Sequence, residues 1–167
     1  MKRIMSNIFV FALVMFYAIS AYASVLPKGT LKKEQLSLGY IPILDSSPQT
    51  VVKMYGQPTN ITINEKWYDL THYCYGNSLI FSFRVKGNLR WLYEITTSDK
   101  NGIKTADGIE VGMPVSKLLD VYGAPSETTQ NKDITRYWYY WKVTSYVYLA
   151  FDVKNGVITR IVLNSNL

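Results

Sequence analysis

Hydrophobic and polar positions alternate with a period of two over several short stretches of the chain. In Val147-Tyr148-Leu149-Ala150-Phe151-Asp152-Val153 the residues Val147, Leu149, Phe151 and Val153 share one side, and Tyr148, Ala150 and Asp152 the other. Leu79, Phe81, Phe83 and Val85 alternate in the same way with Ile80, Ser82 and Arg84. This is the pattern of a half-buried strand, apolar on the side that meets a core. Asn155-Gly156 follows the first stretch and predicts a two-residue hairpin turn, with Val157–Leu163 as the return strand. Gly87-Asn88 predicts the equivalent turn ahead of Leu89–Ile95. An aromatic stretch precedes each pair, Arg136–Lys142 in one case and Trp67–Tyr75 in the other.

Two segments change to a helical period. Val115, Leu118, Leu119 and Tyr122 fall at i, i+3, i+4 and i+7, with Pro114 suited to the first helical position and Gly123 to the stop, followed by Pro125. Upstream, Ser46 or Ser47 can cap a helix begun by Pro48, with Val51, Val52 and Tyr55 as its stripe and Gly56 at its end. Two turns of helix are marginal alone, so each stripe must pack on a sheet.

These matches form an internal repeat. Tyr55-Gly56-Gln57-Pro58 recurs as Tyr122-Gly123-Ala124-Pro125, and Leu79–Lys86 recurs as Val147–Lys154. The pattern predicts an α+β fold of two tandem units, each with short helical segments packed on a three- to four-stranded antiparallel sheet. The expected organisation is a leader over 1–23, a lead-in over 24–37, a first repeat over 38–98, a linker over 99–105 and a second repeat over 106–167. Ser98-Asp99-Lys100-Asn101-Gly102 marks the boundary because it is polar and turn-rich.

The N-terminus changes the picture of location. Met1-Lys2-Arg3 is basic, an uncharged apolar run extends from Ile8 to Ile19, and Ala21-Tyr22-Ala23 precedes Ser24. This is a secretory signal peptide, cleaved after Ala23, and it predicts a periplasmic or secreted product. The apolar run is too short to span a membrane, so no transmembrane segment is expected after cleavage. Ser24 stands where a lipoprotein would carry its cysteine, so no lipid anchor is expected.

Composition adds less. The formal net charge is +6, of which Lys2 and Arg3 leave with the leader. The remaining excess is mild and partly local, around Lys28, Lys32 and Lys33, and it forms no basic stripe, which argues against nucleic acid. One cysteine, Cys74, excludes a disulfide framework and reads as a buried strand thiol.

Candidate chemistry is thin. His72 and Cys74, the only His and Cys, share a face of one strand but stand parallel, too far apart for a nucleophile–base pair. No further soft ligands exist for zinc, and Asp69, Glu94, Asp120, Glu127 and Asp152 form no recurring pair. Asp107-Gly108-Ile109-Glu110-Val111-Gly112 lacks the Lys-Ser/Thr of a phosphate loop. The expectation is a non-enzymatic protein with no cofactor and no metal; a hydrolase would have to draw on His72 or on a carboxylate pair.

The unusual feature is 14 tyrosines and 4 tryptophans. With Phe151 turned to the helix, Tyr146 and Tyr148 turn away from it. Their neighbours are either Tyr137, Tyr139 and Trp141, or Trp138 and Tyr140, depending on register. Such a face is either covered by the other repeat or the N-terminal segment, or is a binding surface of the kind that concentrates Tyr and Trp. The corresponding face of the first repeat, Ile80, Ser82 and Arg84, is far less aromatic.

Ile109-x-Val111-Gly112-Met113-Pro114, Leu118-Leu119, Tyr122-Gly123-x-Pro125, Tyr139 and Trp141, and the Asn155-Gly156 hairpin together resemble the SmpA/OmlA (BamE-like) domain of bacterial envelope proteins. The tandem duplication resembles the β-lactamase inhibitory protein family. The resemblance covers about 60 residues of the second repeat well, whereas the first lacks the Gly-Met of the signature. It implies a non-enzymatic binding module of the cell envelope or secretome, although BamE-like factors are usually lipoproteins. The expected partner is another envelope or extracellular protein, bound through Tyr146, Tyr148, Tyr137, Tyr139 and Trp141. The alternatives are a glycan- or peptidoglycan-binding module, since sugars also stack on aromatics, or an inhibitor of an extracellular enzyme.

Overall fold

The structure, a computed structural model, describes residues 29–64, 70–142 and 146–166. The leader with its cleavage after Ala23, residues 24–28 of the lead-in, and the Trp67-Tyr68-Asp69 start of the first aromatic stretch lie outside the described residues.

The chain opens with a 3-10 turn at Lys33–Gln35 and a small hairpin, β1 (Ser37–Leu38) and β2 (Ile41–Pro42). Helix α1 (Pro48–Tyr55) leads into β3 (Asn60–Asn64), β4 (Leu70–Tyr75), β5 (Leu79–Lys86) and β6 (Leu89–Thr97). Helix α2 (Val115–Tyr122) leads into β7 (Glu127–Asn131), β8 (Ile134–Tyr140), β9 (Val147–Lys154) and β10 (Val157–Ser165). The larger sheet has the order β3-β4-β5-β6-β10-β9-β8-β7 and is antiparallel throughout.

This overturns the expectation of two tandem α+β units with separate three- to four-stranded sheets. The fold is mostly β, and all eight long strands belong to one sheet. The physical reason is β10. It pairs with β9 on one edge and with β6 on the other, through Ile161–Thr97, Val162–Thr96, Leu163–Ile95 and Asn164–Glu94. Pairing the two free edges satisfies backbone groups that separate sheets would expose.

One face of this sheet carries the core. Phe81, Phe83, Ile95, Ile161, Leu163, Leu149 and Phe151 are fully buried on it, under Val51 of α1, Leu118 of α2 and the lead-in residues Leu36, Leu38, Ile41 and Ile43. The helices dock by aromatic contacts of similar kind. Tyr55 packs on Phe81 and Tyr75, and Tyr122 on Tyr139 and Phe151, with centroids 5.2–5.7 Å apart. In each half a strand tyrosine donates to the carbonyl of the glycine that ends the helix, Tyr75 to Gly56 (2.8 Å) and Tyr139 to Gly123 (3.0 Å). These bonds supply partners at helix ends, where carbonyls lack intrahelical ones.

Helix α1 starts as its sequence predicts. The Ser47 hydroxyl accepts from Thr50 N at 3.3 Å, and Pro48 occupies the first turn. At α2 the proline sits one place earlier than expected. Pro114 is the extended cap residue, bridged to Val157, and Val115 N donates to Gly156 O at 2.8 Å. The β9–β10 turn thus sets where α2 begins. That turn has Asn155 at φ 52° and Gly156 at φ 75°, as an Asn-Gly hairpin requires. Gly39, in the β1–β2 turn, is needed for space: a Cβ there would lie 2.2 Å from the Tyr55 hydroxyl, which donates to Gly39 O at 2.6 Å.

Leu163 is fully buried and faces Ile95 on one side and Leu149 on the other. Leu163→Ala is expected to cost about 2–5 kcal/mol, the usual penalty for a core cavity. Because the residue lies on the seam, denaturation followed by tryptophan fluorescence and by far-UV circular dichroism should show one common transition, moved to lower denaturant. Two separated transitions would contradict a single cooperative sheet.

Candidate functional site

The register decides which aromatics meet. On β8, Tyr139 pairs with Leu149 and Tyr137 with Phe151, so both stand on the core side of the sheet. Tyr139 is fully buried between Tyr122 and Phe151. Tyr137 and Trp141 are partly buried against the same core, and the Lys142 ammonium lies 4.3 Å from the Trp141 ring centroid. Trp138 pairs with Ala150 and Tyr140 with Tyr148, which puts Trp138, Tyr140 and Tyr148 together on the opposite face. Tyr146 lies just ahead of β9 and is 66% exposed. Of the five residues expected at the site, Tyr148 is therefore at the centre of the aromatic cluster and Tyr137, Tyr139 and Trp141 belong to the core. The other register anticipated from sequence, with Trp138 and Tyr140, is the one observed.

The three rings form a fixed cluster. Tyr148 meets Trp138 edge-on at 4.9 Å and Tyr140 at 6.3 Å, while Trp138 and Tyr140 lie nearly parallel, 6.4 Å apart. The polar tips of Trp138 and Tyr140 are engaged. Trp138 Nε1 donates to Thr129 Oγ1 at 3.1 Å, and the Tyr140 hydroxyl to Glu127 Oε2 at 3.0 Å. Both acceptors lie on β7, so a polar strand with all five residues exposed serves to hold the rings of β8. Gly29–Leu31 runs along the same edge further on, with Leu31 N donating to Tyr140 O at 2.8 Å. The hydrophobic core, with the helices and the lead-in, lies on the opposite side of the sheet.

Charged groups surround the cluster. Arg136 grips Asp152 from the neighbouring strand with two bonds, Nε to Oδ1 at 2.5 Å and Nη2 to Oδ2 at 2.7 Å, and its guanidinium lies 5.3 Å from the Trp138 ring. Donation to the Asp152 carboxylate raises the Arg136 pKa above its ordinary value, against the effect of burial. Glu94 accepts from Asn164 Nδ2 at 3.0 Å and from Thr96 Oγ1 at 3.1 Å. Arg84 lies 4.3 Å from the Tyr93 ring and donates to Asn166 Oδ1 at 2.8 Å. Burial, and then the charges of Glu94 and Tyr93, push the Tyr148 phenol up to about 12, with Arg136 opposing them. Sequence reasoning missed the Arg136–Asp152 pair because the two facing charges become neighbours only once the register is known.

The remaining chemistry-bearing residues are dispersed. His72 Nδ1 is 2.8 Å from Ser82 Oγ across the β4–β5 pair, whereas Cys74 faces Ile80. The Ser82 residue is buried, and among the described residues no carboxylate orients the second ring nitrogen of His72. No group of three or more His, Cys, Asp and Glu among the described residues could hold a metal ion.

No family model matches the chain. No curated protein is similar to it in sequence either. Two solved structures are similar in shape. A DUF4309 family protein, YjgB, from Bacillus subtilis is 17% identical over 83% of this chain and 88% of that one, with a TM-score of 0.44. An extracellular protein containing an SCP domain, from Bacillus anthracis, is 8% identical over 85% of this chain, with a TM-score of 0.49; the chain spans 50% of that protein. Neither likeness is close enough to transfer an activity, and the resemblance to BamE-like and β-lactamase inhibitory proteins has no counterpart among these matches.

Tyr148 gives the cluster a measurable signature. Burial pushes its phenol up to about 12 in the folded protein, from about 10 for a free tyrosine. The folded state therefore holds this proton more tightly than the unfolded chain. Its contribution to stability is complete below pH 10 and is lost as pH rises through about 12. Absorbance titration of phenolate should show that Tyr148→Phe removes one late-ionising group and flattens the loss of stability between pH 10 and 12. An unchanged late phase would show Tyr148 to be freely hydrated.

Proposed function

We propose that the chain is an exported, non-enzymatic protein-binding module that engages its partner through the sheet face around Trp138, Tyr140 and Tyr148. Export rests on the leader pattern of residues 1–23, and the expected partner is another envelope or extracellular protein. Among the described residues no helix is long and apolar enough to cross a membrane.

The observation that carries this reading is the bonding state of the rings. Trp138 and Tyr140 have their polar tips taken by Thr129 and Glu127, and Tyr148 meets both rings edge-on. Rings held in this way offer apolar area whose ordering cost is already met before binding. A sugar platform works differently: it presents a ring face for stacking and free donors for hydroxyls. Here Arg136 approaches Trp138 and Tyr148 meets it edge-on, which favours a packing surface for a protein over a stacking surface for a glycan.

Central aromatic residues in such interfaces typically contribute about 2 kcal/mol or more on truncation, on the order of a thirtyfold loss of affinity. Trp138→Ala and Tyr148→Ser should each reduce cross-linked capture of an envelope or extracellular protein by about that factor. Circular dichroism should remain native, and Tyr146→Ala provides the control outside the cluster. Equal capture by all three variants would refute the reading. Sedimentation with purified peptidoglycan that depends on Trp138 and Tyr148 would instead assign the face to a glycan.

A further inference from the structure

The aromatic cluster continues into a cleft at the hairpin end of the same strands. Thr129 and Asn131 of β7, Ile134 and Arg136 of β8, Asp152 of β9 and Arg160 of β10 line a space of about 360 Å³. Two guanidinium groups and one carboxylate meet there. Both Asp152 oxygens are already occupied, one by Nε and one by Nη2 of Arg136. Arg160 stands opposite Asp152 in the β9–β10 pairing, just past an irregularity between Ile158 and Arg160. Among the described residues, the Arg160 side chain makes no hydrogen bond or ion pair. An arginine has five donors in a fork that matches a carboxylate, and Arg160 lines a cleft whose one carboxylate, Asp152, is taken up by Arg136.

We propose that this cleft is an anion subsite of the binding face, and that it takes the carboxylate of an acidic side chain presented by the partner protein. The inference rests on the protein-binding reading above. Arg160 supplies the fork, Thr129 and Asn131 supply neutral polar groups at the rim, and Arg136 adds positive charge while Asp152 holds it in place. The cleft volume suits one side chain, at the lower end of what pockets for small molecules enclose.

Position narrows the partner further. Arg136 and Trp138 are two residues apart on β8, which separates them by about 7 Å along an extended strand. Arg136 lies over the Trp138 ring, so the cleft and the aromatic cluster are continuous. An extended segment lying along this strand would place residues two apart over the two sites. The geometry therefore selects a segment of the form acidic–x–aromatic or acidic–x–aliphatic, with the acidic group in the cleft and the apolar group on Trp138 and Tyr148.

The test uses the full chain after leader removal, with acetyl-Glu-Ser-Phe-amide, acetyl-Gln-Ser-Phe-amide and sodium propionate as probes in NMR titrations of arginine Nε–H and tryptophan indole N–H signals. The Glu peptide should bind about tenfold tighter than the Gln peptide and shift both the Arg160 and the Trp138 signals. Arg160→Met should remove that discrimination while leaving the weaker, Phe-dependent shift of Trp138; Arg160→Lys should restore part of it. Equal binding of the two peptides that is lost in Trp138→Ala would overturn the subsite and leave the aromatic-face reading intact. Discrimination through Arg160 that is indifferent to Trp138→Ala would overturn the aromatic face instead. Propionate binding as tightly as the Glu peptide would overturn the partner segment and assign the cleft to a free carboxylate. No response to any probe would overturn the subsite.

Discussion

The pairing of β6 with β10 is the constraint on which the rest of the structure depends. It uses the last strand of the chain to close the gap between two four-stranded antiparallel groups, and it places Ile95, Ile161 and Leu163 where the two groups meet. Without it each group would have a short helix, few buried side chains and an additional exposed edge. A unit of that size buries too little apolar surface to be stable by itself. With it, eight strands share one core, and the lead-in hairpin can lie across the middle, anchored by Leu38 and Ile41 beneath the sheet and by the bond from Tyr55 to Gly39.

A sheet covered on one side divides its residues by parity, and in the proposed reading this division separates stability from recognition. The covered side holds the helices, the lead-in and almost all of the large buried side chains. The other side holds small or hydrogen-bonded residues, such as Ala150, Ser82, Thr96 and Asn164, between longer polar and aromatic ones. That composition places short, buried side chains directly over the strands. It also concentrates Arg84, Arg136, Arg160, Glu94 and Asp152 on the face where Trp138, Tyr140 and Tyr148 project, so that any ligand of this side meets rings and charges together.

Much of the fold was legible in the sequence, and the exceptions have physical causes. The strands β5 and β9, the Asn155-Gly156 turn and both helices follow from alternation and capping, because each has one face in the core. The edge strands β3 and β7 were not legible. Glu127–Asn131 is exposed at every position, so burial imposes no alternation on it; its place follows from pairing with β8 and from the bonds to Trp138 and Tyr140. The continuous sheet was not legible either, since a repeat in sequence specifies similar halves and says nothing of how their edges meet. At the site, Arg136–Tyr140 is aromatic at both parities, so periodicity left two registers open. The pairing of Tyr139 with Leu149 selects between them, sending Tyr137, Tyr139 and Trp141 to the core. The Arg136–Asp152 pair was hidden for the same reason.

The excess of tyrosine over phenylalanine has one explanation on both sides of the sheet. A two-turn helix ending near the sheet leaves carbonyls that need donors close to an apolar surface, and a phenol supplies both the ring and the donor. Tyr75 and Tyr139 do this for Gly56 and Gly123, and Tyr55 does it for the turn at Gly39. On the opposite side, Tyr140 ties its ring to Glu127 by the same chemistry. Replacing these residues by phenylalanine would keep the buried area but free the rings and orphan the acceptors. Tyr55, Tyr75, Tyr139 and Tyr140 are therefore fixed by hydrogen bonds as much as by burial, and a surface fixed in this way can be apolar at Trp138 and Tyr148 while holding the shape that the proposed binding would require.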